Sequence, residues 1–207
     1  MYMKKKINLY FFRHLKTNII RGQFLGQINN AKIKNKNIRK KFLKIKYSEC
    51  FSSPLIRCKQ TSELLIKKKL IKYSNDLMEI NYGDFENLNY KILTKSYPKF
   101  ISKWNKKLDP RFPNGENTLD VFKRLINFLD KNIKNKTFKT DSNILIITHN
   151  VVLRCLLGHY FKISRENWYK INVEYLDDLI FIKSNKIIFS NIEKIKFLNI
   201  FKNFYYK

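Results

Sequence analysis

The sequence predicts an α/β protein, a three-layer α/β/α sandwich with a mostly parallel central sheet. Three observations predict it. Residues 7–12 and 144–147 are short apolar runs of the kind that form buried strands, and the second is uninterrupted, the mark of a central parallel strand. Stretches with apolar residues at helical spacing, 55–69, 118–129 and 151–160, alternate with the strands, as a layered α/β fold requires. Both apolar runs end in a histidine, as Arg13-His14 and as Thr148-His149, at the carboxyl ends where open α/β sheets place their ligands.

The remaining elements follow in order. Residues 16–36 are polar, contain Gly22 and Gly26, and read as a long loop, with a short helix after them within 37–46. Cys50-Phe51 ends a second strand. Leu55, Cys58, Leu64, Leu65 and Ile66 supply an inner face for a helix over 55–69, and 71–73 is a further strand. Residues 89–104 are helical in parts, broken at Pro98, and 108–117 is a loop with two prolines and a glycine. Thr118 is the expected N-cap of a helix whose Val121, Phe122, Leu125, Ile126 and Leu129 face inward. Residues 179–182 and 187–189 flank Ser184-Asn185 as a hairpin. No internal repeat is visible.

A chain of 207 residues fits one domain, assigned to 1–191. Residues 192–207 form a basic, aromatic extension in which Ile195, Leu198, Phe201 and Tyr205 fall near helical spacing, and it is expected to dock on the domain. Hydrophobic content of 44% and aromatic content of 15% exclude a disordered chain. No apolar run approaches the ~18 residues of a membrane helix. The six apolar residues after Lys4-Lys5-Lys6 are too few for a secretion signal, so the expected location is the cytoplasm. Cys50, Cys58 and Cys155 have no metal-ligand spacing and read as reduced thiols, Cys58 as a small buried hydrophobe.

The net charge is +27, carried by 35 Lys and 8 Arg. The lysines are scattered among Asn and Ile over the whole chain, the pattern of drift in an AT-rich genome and of a solvated basic surface. Specific nucleic-acid binding is not expected, because Arg, the residue with a fixed fork for phosphate and guanine, is scarce. The positive field favours encounter with small anionic substrates.

An arginine fork beside an imidazole suits a phosphoryl group: Arg binds its oxygens in pairs and His can attack phosphorus. Four further segments accompany Arg13-His14 in order. They are Ser52-Ser53-Pro54-Leu55-Ile56-Arg57-Cys58-Lys59-Gln60-Thr61, then Leu77-Met78-Glu79-Ile80-Asn81-Tyr82-Gly83-Asp84-Phe85-Glu86, then Pro113-Asn114-Gly115-Glu116-Asn117, and last Ile146-Ile147-Thr148-His149-Asn150-Val151-Val152-Leu153-Arg154. As an ordered set they resemble the histidine phosphatase superfamily, which includes the phosphoglycerate mutases, over about residues 7–183.

The resemblance implies a phosphoglycerate mutase-like fold and a metal-independent phosphomonoesterase with no cofactor. It implies that His14 is the nucleophile and forms a phosphohistidine. Arg13 and Arg57 stabilise the phosphoryl oxygens, His149 converges with His14 on one catalytic pocket, and Glu79 is the acid for the leaving oxygen and then the base for water. Thr17, Asn150, Tyr90, Arg111 and Arg154 are the implied substrate-binding residues, with Tyr90 and Arg154 at positions that serve the second phosphate or sugar in bisphosphatases. His159 matches no motif and is expected to be structural. Two positions depart from the family pattern: Leu15 replaces the usual glycine after the nucleophile, and Ile20 replaces the usual phosphate-binding asparagine. Two alternatives stand beside the phosphatase, a 2,3-bisphosphoglycerate-dependent mutase and a non-catalytic basic binding protein on the same fold. The implied partner is a small phosphorylated metabolite, and the oligomeric state is left open.

Overall fold

The computed structural model describes residues 7–19, 22–28, 31–38, 40–135, 141–171, 173, 180–183 and 186–189. Ile20 and the extension 192–207 lie outside the described residues. The sheet is built around β1 (Ile7–Arg13). After α1 (Lys40–Leu43) come β2 (Glu49–Ser52), α2 (Ile56–Glu63) and β3 (Ile71–Tyr73). Then follow α3 (Tyr90–Ser96), α4 (Pro98–Asn105), α5 (Thr118–Leu129), β4 (Ser142–Thr148), α6 (Asn150–Tyr160), β5 (Ile180–Lys183) and β6 (Lys186–Phe189). The strand order is β3-β2-β4-β1-β5-β6. The pairs β3–β2, β2–β4 and β4–β1 are parallel, while β1–β5 and β5–β6 are antiparallel. A mostly parallel sheet with helices on both faces is therefore the architecture.

Alternation along the strands sorts the core into two layers. Phe11, Phe51, Ile144 and Ile146 point to one face, against Val121, Leu125 and Phe128 of α5 and the buried side of α6. Phe12, Cys50, Leu145 and Ile147 point to the other, with Phe42 of α1 and Cys58 of α2. β1 and β4 run in register from Ile7↔Ser142 to Arg13↔Thr148. The next residues on each chain are His14 and His149, and the pairing continues through the His14 amide, which donates to the Thr148 carbonyl at 3.1 Å. Both histidines thus leave neighbouring strands on the face that α2 covers.

Several boundaries differ from expectation. Helix α2 ends at Glu63 rather than near 69. Thr61 Oγ1 and Ser62 Oγ donate back to the Arg57 and Lys59 carbonyls, at 2.6 and 2.9 Å, and so compete with the helical ladder. A 3₁₀ turn, Lys68–Leu70, then feeds the edge strand β3. The N-cap of α5 is Asn117, not Thr118. Asn117 has extended backbone, its side chain accepts from the Asp120 amide, and Asp120 accepts from the Asn117 amide, a reciprocal capping box. The break at Pro98 is real: α3 stops at Ser96 and proline opens α4, where its missing N–H costs nothing.

Candidate active site

The site gathers where β1, β2 and β4 end. His14 is 4% exposed and His149 fully buried, and Arg57 from the first turn of α2 lies behind them at 1% exposure. The two imidazole centroids are 5.1 Å apart. His14 Nδ1 donates to the Leu15 carbonyl at 2.7 Å. A carbonyl only accepts, so Nδ1 carries the proton and the lone pair is on Nε2. Leu15, the departure from the family glycine, is buried in the α2-side core, and its amide donates to Thr61 Oγ1 at 3.0 Å. The bulkier residue is absorbed by packing on that side.

Arg57 is committed on several sides. Its Nη1 and Nη2 donate to the Ile28 and Gly26 carbonyls at 3.0 and 2.7 Å, and Nε donates to His149 Nδ1 at 3.3 Å. Nδ1 of His149 is then the acceptor, and its Nε2–H faces Ser53 Oγ at 2.8 Å. Cys58 Sγ lies 3.3 Å from the same Nε2. Burial, reinforced by the Arg57 charge, holds both imidazoles well below their usual range, so both are neutral near pH 7. Burial pushes the Cys58 thiol up to about 12, which leaves it an inert thiol as expected.

Glu79 reaches the site from the segment after a 3₁₀ turn, Asn75–Leu77. Its Oε1 accepts from the Ile80 amide and from the Val151 amide, both at 3.1 Å. The second contact ties the carboxyl to the N-terminus of α6, directly after His149. Tyr82, which sequence reasoning did not single out, belongs to the same group. Burial and the Glu79 charge raise its phenol, and Arg154 and Arg13 are its opposing charged neighbours. Its ring is edge-on to Phe24 and to Phe112, which carries the loop 22–28 and the loop before α5 onto the site.

Arg13 and Arg154 are anchored by one segment. Arg13 Nη1 donates to the Val173 carbonyl and Arg154 Nε to the Ile171 carbonyl, each at 2.7 Å. Asn150 opens α6, and its buried Oδ1 accepts no hydrogen bond among the described residues. Thr17 is buried and bridges to Ile33 in the loop. Tyr90 and Arg111 sit differently. Tyr90 is 46% exposed, and its hydroxyl pairs with the Asn105 side chain of α4 at 3.2–3.3 Å. Arg111 is exposed and braces its own loop through Asp120 at 2.7 Å and the Gly115 carbonyl at 3.2 Å. His159 packs on Phe122 at 4.7 Å, apart from the histidine pair, as expected of a structural residue.

Sequence reasoning also passed over Ser53, Gln27 and Arg124. Ser53 could have been found, since it follows β2 as His14 follows β1, and its amide continues the ladder to the Ile147 carbonyl at 3.0 Å. Gln27 and Arg124 donate to the Glu79 backbone carbonyl, each at 3.0 Å. No spacing in the sequence links either to Glu79. Among the described residues no group of His, Cys, Asp and Glu has the arrangement of a metal site, and no helix is long and apolar enough to cross a membrane.

Comparison with known proteins adds the family context. The model of the histidine phosphatase superfamily (branch 1) matches residues 31–181, a span that takes in Arg57, Glu79 and His149 and begins after His14. A Saccharomyces cerevisiae fructose-2,6-bisphosphatase is 31% identical over 129 residues, which is 61% of this chain and 27% of that protein, so the chain spans only about a quarter of its length. A 2,3-bisphosphoglycerate-dependent phosphoglycerate mutase of Methanococcus vannielii is 24% identical over 203 residues, covering 80% of this chain and 86% of the mutase. The alpha-ribazole phosphatase of Shigella flexneri superposes with a TM-score of 0.71 at 20% identity, over 88% of this chain and 94% of that one, a likeness of fold.

Proposed function

The chain belongs to the histidine phosphatase superfamily, and we propose that it is a metal-independent phosphomonoesterase acting through a phosphohistidine on a small phosphorylated metabolite. The observation that carries the reading is the register of β1 and β4, which delivers His14 and His149 side by side, both neutral, with Arg57 behind them.

In this reading His14 Nε2 attacks phosphorus in line with the leaving oxygen. The proton on Nδ1, held by the Leu15 carbonyl, keeps the nucleophilic lone pair on Nε2 throughout. Negative charge on the equatorial oxygens is met by Arg13, by the field of Arg57 and by the Nε2–H of His149 turning from Ser53. Glu79, whose described hydrogen bonds engage Oε1, uses Oε2 to protonate the departing alkoxide. The product alcohol leaves, a water takes its place, Glu79 removes its proton, and attack on phosphohistidine returns phosphate and free His14.

A hydrolase is favoured over a mutase by the sequence of Pro113 to Asn117, which reads like that of bisphosphatases and small phosphatases. The lysine-rich surface supports a preference for multiply charged small substrates, with kcat/KM falling as salt rises.

The test is a phosphatase assay with and without EDTA, joined to trapping of the phosphoenzyme. Activity should survive EDTA. An acid-labile, base-stable phosphohistidine should appear in the wild type and vanish in His14→Ala. Glu79→Gln should slow alkyl phosphates more than p-nitrophenyl phosphate. Undiminished turnover in His14→Ala would rule the mechanism out. Isomerisation that depends on 2,3-bisphosphoglycerate would move the assignment to the mutases.

A further inference from the structure

We propose that Arg124 and Glu116 form a positioning pair that fixes the backbone of Glu79 and thereby aims its carboxyl at the leaving oxygen. The inference rests on the acid–base role proposed for Glu79. Residues 78–82 form no helix or strand, so no continuous backbone ladder holds them in place. The Arg124–Glu116 ion pair is a main anchor, beside Gln27, which also donates to the Glu79 carbonyl, and the Val151 amide on the Glu79 carboxyl.

Arg124 projects from α5. Its Nε donates to Glu116 Oε1 at 2.9 Å and its Nη2 to Oε2 at 3.1 Å, a two-pronged pairing. Its Nη1 donates to the Asp76 carbonyl at 2.7 Å, and Nη2 also donates to the Glu79 carbonyl at 3.0 Å. Glu116 completes the arrangement: Oε2 accepts from the Asn81 amide at 2.9 Å, and the Glu116 amide donates to the Asn81 carbonyl at 2.9 Å. The side chains are only 15% and 20% exposed, so water competes weakly for these bonds. Residues 76, 79 and 81 are thus tied to one guanidinium–carboxylate unit.

The chemistry requires this residue pair. A planar guanidinium can serve a carboxylate and two carbonyls at fixed angles, whereas an ammonium is a point charge on a flexible stem. A general acid works only within hydrogen-bond reach of the oxygen it protonates, and displacement by about 1 Å costs about a hundredfold. The pair also explains Glu116 of the Pro113 to Asn117 segment, which contacts Asn81 and Arg124 rather than the histidine pair.

The experiment uses Arg124→Lys, Glu116→Gln and the charge-free double variant Arg124→Met/Glu116→Gln, each checked for fold by circular dichroism and Tm. Stopped-flow phosphoenzyme formation is followed with p-nitrophenyl phosphate and with an alkyl phosphate, β-glycerophosphate. The first leaving group needs little protonation and the second needs it fully. The ratio of the two rates, p-nitrophenyl over alkyl, should rise at least about tenfold in the variants, and Glu79→Gln should add little to that rise. Hydrogen exchange should speed up over residues 76–81 and stay unchanged in β4. An unchanged ratio, or unchanged exchange over 76–81, overturns the inference. Failure of all three variants to fold also overturns it, in favour of a purely structural pair. Absence of phosphohistidine in the wild type would instead strike the proposed function, and the exchange measurement would still decide whether the pair holds the segment.

Discussion

The rings of His14 and His149 stand 5.1 Å apart with their planes at 61°, each buried and each beside Arg57. Burial makes a cation on either ring costly, the Arg57 charge adds to that cost, and the depressed imidazoles are the result.

That arrangement sets the pH dependence. If His14 is the nucleophile, it should stay unprotonated to below the ordinary imidazole value of about 6.5. A profile of kcat/KM for p-nitrophenyl phosphate, corrected for substrate ionisation, should therefore show its acid limb below that value. The sign for stability follows from proton counts. As pH falls below about 6.5 the unfolded chain takes up protons on both imidazoles and the folded chain does not, so the unfolded state is favoured. Tm should drop between pH 7 and pH 5, and His149→Gln should flatten the drop. A Tm that rises toward pH 5 would contradict the depressed imidazoles.

Gly83 is a junction between two loops. Its φ is +53°, and a Cβ there would lie 1.9 Å from the Pro113 carbonyl oxygen. Gly83→Ala should destabilise by at least about 2 kcal/mol, since left-handed backbone alone costs ~1–2 kcal/mol for a residue with a side chain. The two loops must also part, moving Asn81 from Glu116. Denaturant unfolding measures the first effect. A variant as stable as the parent would mean that the Pro113 loop yields freely.

Arg154 offers a test of substrate class. Its Nε is held by the Ile171 carbonyl, two residues from the carbonyl that holds Arg13. If it meets a second charged group, Arg154→Ala should cost a bisphosphate substrate about 1–3 kcal/mol in kcat/KM and leave p-nitrophenyl phosphate nearly untouched. Equal losses on both substrates would place Arg154 at the reacting phosphate or in the fold.

The readable part of this protein is what the local chain dictates. Apolar runs ending in histidine specify buried strands with imidazoles at their carboxyl ends, and helical spacing specifies α5 and α6, because burial and periodicity are properties of short segments. Even the break at Pro98 is local chemistry. The N-cap at Asn117 was missed by one residue because Asn117 and Thr118 are both capping types, and only the backbone turn decides between them.

Tertiary structure decided the rest. The face on which His14 and His149 emerge depends on strand register, which no single segment contains. The partners of Arg57 come from residues 26–28 and from His149, and those of Glu79 from Gln27, Arg124 and Val151, the latter three at sequence separations of 52, 45 and 72. Hydrogen bonds of that range arise only once the layers have closed. The sequence by itself thus determined the strands, the helices and the residue types that suit a phosphoryl group. Only the packed fold determined which nitrogen of His149 carries its proton and which side chains hold Glu79, because those depend on groups brought together from distant parts of the chain.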